Sequence, residues 1–106
     1  MIVYIVKIES DNKYKIGYTK KKLSERIKNL QTGSPDNIIA ISEFKTKYPT
    51  KLEKYLHRYY SDQRLEGEWF CLEESDIVKI KKQCLDFESN MDFLIESGNP
   101  FVLKKI

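Results

Sequence analysis

Residues 2–19, Ile-Val-Tyr-Ile-Val-Lys-Ile-Glu-Ser-Asp-Asn-Lys-Tyr-Lys-Ile-Gly-Tyr-Thr, decide how the chain is read. Ile2 to Ile8 is apolar and rich in β-branched residues, the composition of a strand buried on both faces. Ser10-Asp11-Asn12 is a turn signal. Lys13 to Thr19 then alternates, with Tyr14, Ile16 and Tyr18 on one side and Lys13, Lys15 and Gly17 on the other. Together these make a β-hairpin. With its turn centred on Asp11-Asn12, Tyr4 pairs with Thr19, Val6 with Gly17 and Ile8 with Lys15. Tyr4, Lys15 and Gly17 then share a face, and the missing side chain of Gly17 leaves a gap between the two longer ones.

Working outward, Leu23, Ile27 and Leu30 fall at i, i+4, i+7 and predict a helix over about residues 21–32, stopped at Gly33. Ser34 to Asn37 is a loop, and Ile38 to Phe44 reads as a third strand. Pro49-Thr50 opens a second helix reaching about Asp62, with Leu52, Tyr55, Leu56, Tyr59 and Tyr60 on its inner side. Gly67 breaks the chain before Glu68 to Leu72, a short strand or extended segment. Ser75 is expected to cap a third helix carrying Ile77, Ile80 and Leu85. The apolar patch Phe93-Leu94-Ile95 has no assigned place, and Gly98-Asn99-Pro100 reads as a turn. The fold class is α+β: a small, mainly antiparallel three-stranded sheet in β-β-α-β-α order, flanked by helices. The 106 residues form one domain, with a motif region at 2–72 and a helical extension at 73–106.

The net charge is only +3, but it is unevenly spread. Residues 1–64 hold 14 Lys and Arg against 7 Asp and Glu, whereas residues 65–106 hold 5 against 9. A basic first part suits an anionic partner such as DNA. The run Lys20-Lys21-Lys22 is the natural phosphate contact, although such runs also serve as solvated faces. No apolar run is long enough to span a bilayer. Cys71 and Cys84 match neither a disulfide framework nor a zinc site, and read as reduced, buried thiols. With no leader sequence evident, they suggest a cytoplasmic protein.

Ile2-Val3-Tyr4 and Lys15-Ile16-Gly17, followed by Leu23-x-x-Arg26, Leu52-Glu53, His57 and Gly67-Glu68-Trp69-Phe70, form an ordered set. In that order they resemble the GIY-YIG nucleases, in the phage and bacterial branch that closes on a Gly-Glu-Trp-Phe box. The resemblance implies a metal-dependent DNA endonuclease in a bacterium or the cell of a viral host. It departs from the pattern at Ile2, where glycine is usual, and at Lys15, where tyrosine is usual. It assigns Glu53 to a Mg²⁺ or Mn²⁺ ion and Arg26 to the phosphate. Tyr4 becomes the general base or the group that orients water, with Lys15 as a positive charge favouring its ionised form. His57 is placed in the site beside them. Tyr18, Lys20, Lys21, Lys22 and Arg26 are the expected DNA contacts.

Each residue has a plainer role open to it. Thr50-x-x-Glu53 after Pro49 fits a capping box, so Glu53 could simply cap its helix. His57, four residues on, could hydrogen-bond Glu53. Tyr4 could be core, and Trp69 and Phe70 anchors, with Glu68 as a second polar member of the site. Two rivals to the enzyme follow: an inactive nucleic-acid-binding module, and a protein-interaction domain using the aromatic surface. No heptad pattern argues for a constitutive dimer, which leaves a transient dimer on DNA compatible with the sequence.

Overall fold

In the computed structural model, which describes residues 1–98, strands β1 (Ile2–Ile8) and β2 (Lys13–Thr19) form the expected hairpin. The register differs by two residues from expectation, with Tyr4 opposite Gly17 and Val6 opposite Lys15. The reversal is centred one residue earlier, on Ser10-Asp11, where the Asp11 N–H donates to the Ile8 carbonyl and the Asp11 carboxylate accepts from the Asn12 N–H. A two-residue shift preserves parity, so Tyr4, Lys15 and Gly17 still share a face.

Helix α1 (Leu23–Thr32) leads into β3 (Ile38–Lys45), which pairs antiparallel with β1. Helix α2 (Pro49–Tyr59) follows, then a 3₁₀ turn at Ser61–Gln63, strand β4 (Trp69–Cys71) and the long α3 (Glu74–Glu96). The sheet has four strands in the order β3-β1-β2-β4, which corrects the three-stranded expectation. Three residues are too few to show an alternating pattern, so β4 was not assignable as a sheet member by period. Its place follows from the free edge of β2: Lys13, Tyr14 and Lys15 need backbone partners, and Cys71, Phe70 and Trp69 provide them.

The sheet faces are unequally covered. On one, Val3, Ile5, Tyr14 and Ile16 meet Leu52 and Leu56 of α2, Phe70 of β4 and Ile80 and Cys84 of α3, all buried. On the other, the buried hydrophobic residues Tyr4, Val6 and Ile38 form a smaller cluster, with Leu23, Ile27 and Leu30 of α1 packed partly against them. No residue of α1 is itself buried.

Helix α3 corrects three sequence expectations. Its cap is Glu73 rather than Ser75: the Glu73 carboxylate accepts from the Asp76 N–H, and the Asp76 carboxylate accepts from the Glu73 N–H. Its 23 residues carry Phe93-Leu94-Ile95 into the same helix. Leu85 lies on its exposed side, and the bond from Tyr60 Oη to Gln83 Oε1 helps to fix the other side against the core. On α2, Tyr59 is likewise exposed while Leu52 and Leu56 are buried. Cys84 is buried, as expected, and burial pushes its thiol up to about 11. Cys71 is exposed on the edge strand. Residues 99–106, which include most of the expected Gly98-Asn99-Pro100 turn, lie outside the described residues.

Candidate functional site: an acidic–histidine cluster beside a tyrosine–arginine pair

The hairpin builds the first half of the site. Tyr4 has no exposed surface, and its ring fills the space that a side chain on Gly17 would take. A Cβ at Gly17 would stand 2.6 Å from Tyr4 Oη, so the glycine is required by close approach. The ring delivers its hydroxyl to α1, where Arg26 Nε donates to Tyr4 Oη at 3.1 Å. That bond is the main cause holding the Arg26 guanidinium above its ordinary pKa, partly opposed by desolvation; the carboxylate of Glu68 adds to the rise.

The second half gathers at the β4 edge of the sheet. Helix α2 presents Glu53 and His57 one turn apart, flanking Leu52 and Leu56, which lock the helix to the core. Glu68 comes from the turn before β4. That turn is shaped by Gly67 in a left-handed conformation (φ +58), and Arg64 Nε donates to the Gly67 carbonyl at 2.7 Å. One ligand atom from each of Glu53, His57 and Glu68 lies within 4.8 Å of the others. Lys15 closes the group, with its Nζ 2.9 Å from Glu68 Oε2 and 5.8 Å from the centre of the Trp69 ring.

Glu53 does not cap α2, whose first turn has no side-chain cap bond. Its Oε2 is buried and without a hydrogen-bond partner. An orphaned carboxylate oxygen is costly. Burial accordingly pushes the Glu53 carboxyl above its ordinary range, and nearby Glu68 pushes it further. His57, Lys15 and the backbone N–H of Tyr18 oppose that rise without cancelling it. The alternative bond from His57 to Glu53 is not formed. His57 Nε2 instead donates to the Ile16 carbonyl at 2.8 Å, and the ring lies against Phe70. A neutral imidazole held in this way keeps its lone pair on Nδ1, the usual arrangement of a metal-binding histidine fixed through its other nitrogen.

This donor set fits a divalent cation: two carboxylates, one of them with an unused buried oxygen, and one imidazole. The imidazole favours Mn²⁺ over Mg²⁺, which prefers an all-oxygen shell. Glu68 belongs to the cluster although the sequence reading named only Glu53 as a ligand. Its nearest sequence signal was the Gly67-Glu68-Trp69-Phe70 string. Tyr18 is exposed on the opposite side of β2 from Lys15, and Lys20, Lys21 and Lys22 are exposed at the β2–α1 turn.

The fold and site thus define a small α+β domain with a polar cluster at one sheet edge and an arginine aimed by a buried tyrosine. The chain belongs to the T5orf172 domain family, whose model matches residues 1–85. It is 33% identical over 101 residues to the putative KilA-N domain-containing protein 315L of Invertebrate iridescent virus 6, covering 84% of this chain. The chain spans 43% of that protein's length. No solved structure matches.

Family membership corrects the GIY-YIG assignment: the family shown is T5orf172. The pieces that carried the resemblance are short, and several report packing. Gly17 makes room for the Tyr4 ring, and Phe70 is core. The T5orf172 match is consistent with interaction with nucleic acid, DNA above all. Among the described residues, no helix is long and apolar enough to cross a membrane.

Proposed function

We propose that this domain binds DNA and hydrolyses its phosphodiester backbone at the Glu53–His57–Glu68 cluster, with a Mn²⁺ or Mg²⁺ ion as cofactor. The observation that carries the reading is the buried, unpartnered Oε2 of Glu53 beside a second carboxylate and an imidazole. A carboxylate kept at a cost to the fold marks a site arranged for a ligand. A bound divalent cation would neutralise the phosphate and stabilise the leaving oxyanion.

The chain's own groups supply the rest. Arg26 commits Nε to Tyr4, which leaves its two terminal nitrogens to donate to phosphate oxygens. Tyr4 is fully buried and already accepts from Arg26, so its role is to aim the guanidinium rather than to meet water as a general base. His57, with Nε2–H committed to Ile16, would offer its Nδ1 lone pair to the ion. Lys15 adds positive charge beside Glu68.

A second reading, binding without cutting, has one observation in its favour: the ammonium of Lys15 already gives Glu68 a cation. Incubation of supercoiled plasmid with Mn²⁺, Mg²⁺ or EDTA separates the two. Cutting is expected with Mn²⁺ above Mg²⁺ and none in EDTA, with nicked circles preceding linear DNA because one site attacks one phosphate at a time. Retarded but intact plasmid under all three conditions would leave only binding.

A further inference from the structure

Next to the Tyr4–Arg26 pair lies a groove of about 600 Å³ that the catalytic reading does not use. It is contiguous with that pair: Ile2 stands two residues before Tyr4 on the same strand, and Leu23 and Ile27 pack against the Tyr4 cluster. Lys20, Lys21 and Lys22 come to it from the β2–α1 turn and Lys45 from the end of β3. Between these charges its lining is mainly apolar, from Ile2, Leu23, Ile27 and Ala40 with Met1, and Thr19 and Ser24 add two hydroxyl groups.

Charge and apolar lining together restrict the occupant. The lysines suit phosphates, but the outside of a stacked duplex offers an aliphatic floor little beyond thymine methyls and sugar edges. A small hydrophobic peptide would suit the floor and gain little from four lysines. A nucleotide out of its stack satisfies both, with an apolar ring face for the floor and flanking phosphates for the rim. The volume is that of a small-ligand site. Glu43, the one carboxylate lining the groove, can accept from a base amino group.

We propose that this groove holds one unstacked nucleotide of a DNA strand, its base against Ile2, Ile27 and Ala40 and its phosphates on Lys20 to Lys22 and Lys45. The inference rests on the DNA-binding reading above and adds the kind of substrate: DNA with an unpaired or easily unpaired position beside the cut.

Fluorescence anisotropy in EDTA, with a blunt duplex and the same duplex carrying a one-nucleotide bulge, tests it. The bulged probe is expected to bind about tenfold more tightly to the wild-type protein. Ala40→Phe puts a bulky ring where the base would lie, without changing charge, at an exposed position, and should abolish that preference while leaving duplex affinity unchanged. Lys45→Gln, also exposed, provides a second variant and should lower the salt dependence of bulge binding by about one unit of slope, with little effect on the duplex. Equal wild-type affinity for the two probes would overturn the groove assignment while DNA binding stands. So would an Ala40→Phe preference equal to wild type, or losses in both variants that are the same for both probes. Binding of neither probe would overturn the DNA-binding reading and this inference together.

Discussion

The two faces of the sheet divide stability from chemistry. Behind Val3, Ile5, Tyr14 and Ile16, helices α2 and α3 close a continuous core, with Leu52, Leu56 and Phe70 fully enclosed. In front, α1 lies over Tyr4 and Val6 without burying any residue of its own. The thinly covered face bears Arg26 and opens into the lysine-rimmed groove. The cluster of Glu53, His57 and Glu68 stands at the sheet edge, drawing two of its members from the well-packed side. A rigid core can hold an unsatisfied carboxylate in place, and a lightly covered face can admit a polymer.

Truncation sets the faces directly against each other, with the largest effect on the core side. Leu56→Ala should cost about 2–5 kcal/mol in urea unfolding, because the side chain has no exposed surface and the helix around it cannot collapse freely. Ile27→Ala, on α1 and only partly buried against the sheet, should cost under about 1.5 kcal/mol. Equal losses would erase the distinction between the two faces.

Glu53→Gln should reduce Mn²⁺-dependent nicking by about 100-fold while leaving DNA binding within a few fold. The same substitution should raise rather than lower thermal stability in EDTA, since it removes a desolvated charge. The sign follows from the carboxyl being raised in the folded protein. Its contribution to stability is present below the ordinary carboxylate range and is lost as pH rises through the raised folded value. The wild-type protein without metal should therefore gain stability relative to the Gln variant as pH falls through that interval. A variant that nicks at the wild-type rate would remove Glu53 from the mechanism. A pH-independent difference between the two proteins would remove the burial argument.

Gly17→Ala should cost about 1–3 kcal/mol, because the new methyl meets the Tyr4 ring. It should also weaken DNA binding by displacing the hydroxyl that aims Arg26. Tyr4→Phe, which removes only the hydroxyl, separates the two effects, and should lower affinity or cutting with a smaller stability loss. Normal function in Tyr4→Phe would show that Arg26 needs no such partner.

Much of the frame was legible because local patterns are strong where elements are long. The alternation of Lys13 to Thr19 gave the shared face of Tyr4, Lys15 and Gly17, even though the turn placed its partners two residues away. Glu68 to Leu72 was legible as a short strand or extended segment, but its place in the sheet was not, because three residues carry no usable period and pairing depends on the unpaired edge of β2. The cap of α3 was misplaced because serine is a favoured N-cap residue and glutamate is not, and only the backbone geometry selects the Glu73–Asp76 exchange. Glu53 followed the same logic in reverse: Thr50-x-x-Glu53 has the spacing of a capping box, but no side chain caps that helix.

The sequence by itself determined the hairpin, the three helices, the basic bias of the first part and most of the residues that meet at the site. These are consequences of period, turn chemistry and charge, which act over a few neighbouring residues. Tertiary structure alone decided that Glu68 completes the cluster with Glu53 and His57, that His57 is held by the Ile16 carbonyl, and that Tyr4 is enclosed against Arg26. Those contacts join residues from 11 to 41 positions apart, so they arise only when the sheet brings separate elements together and burial changes what each polar group costs.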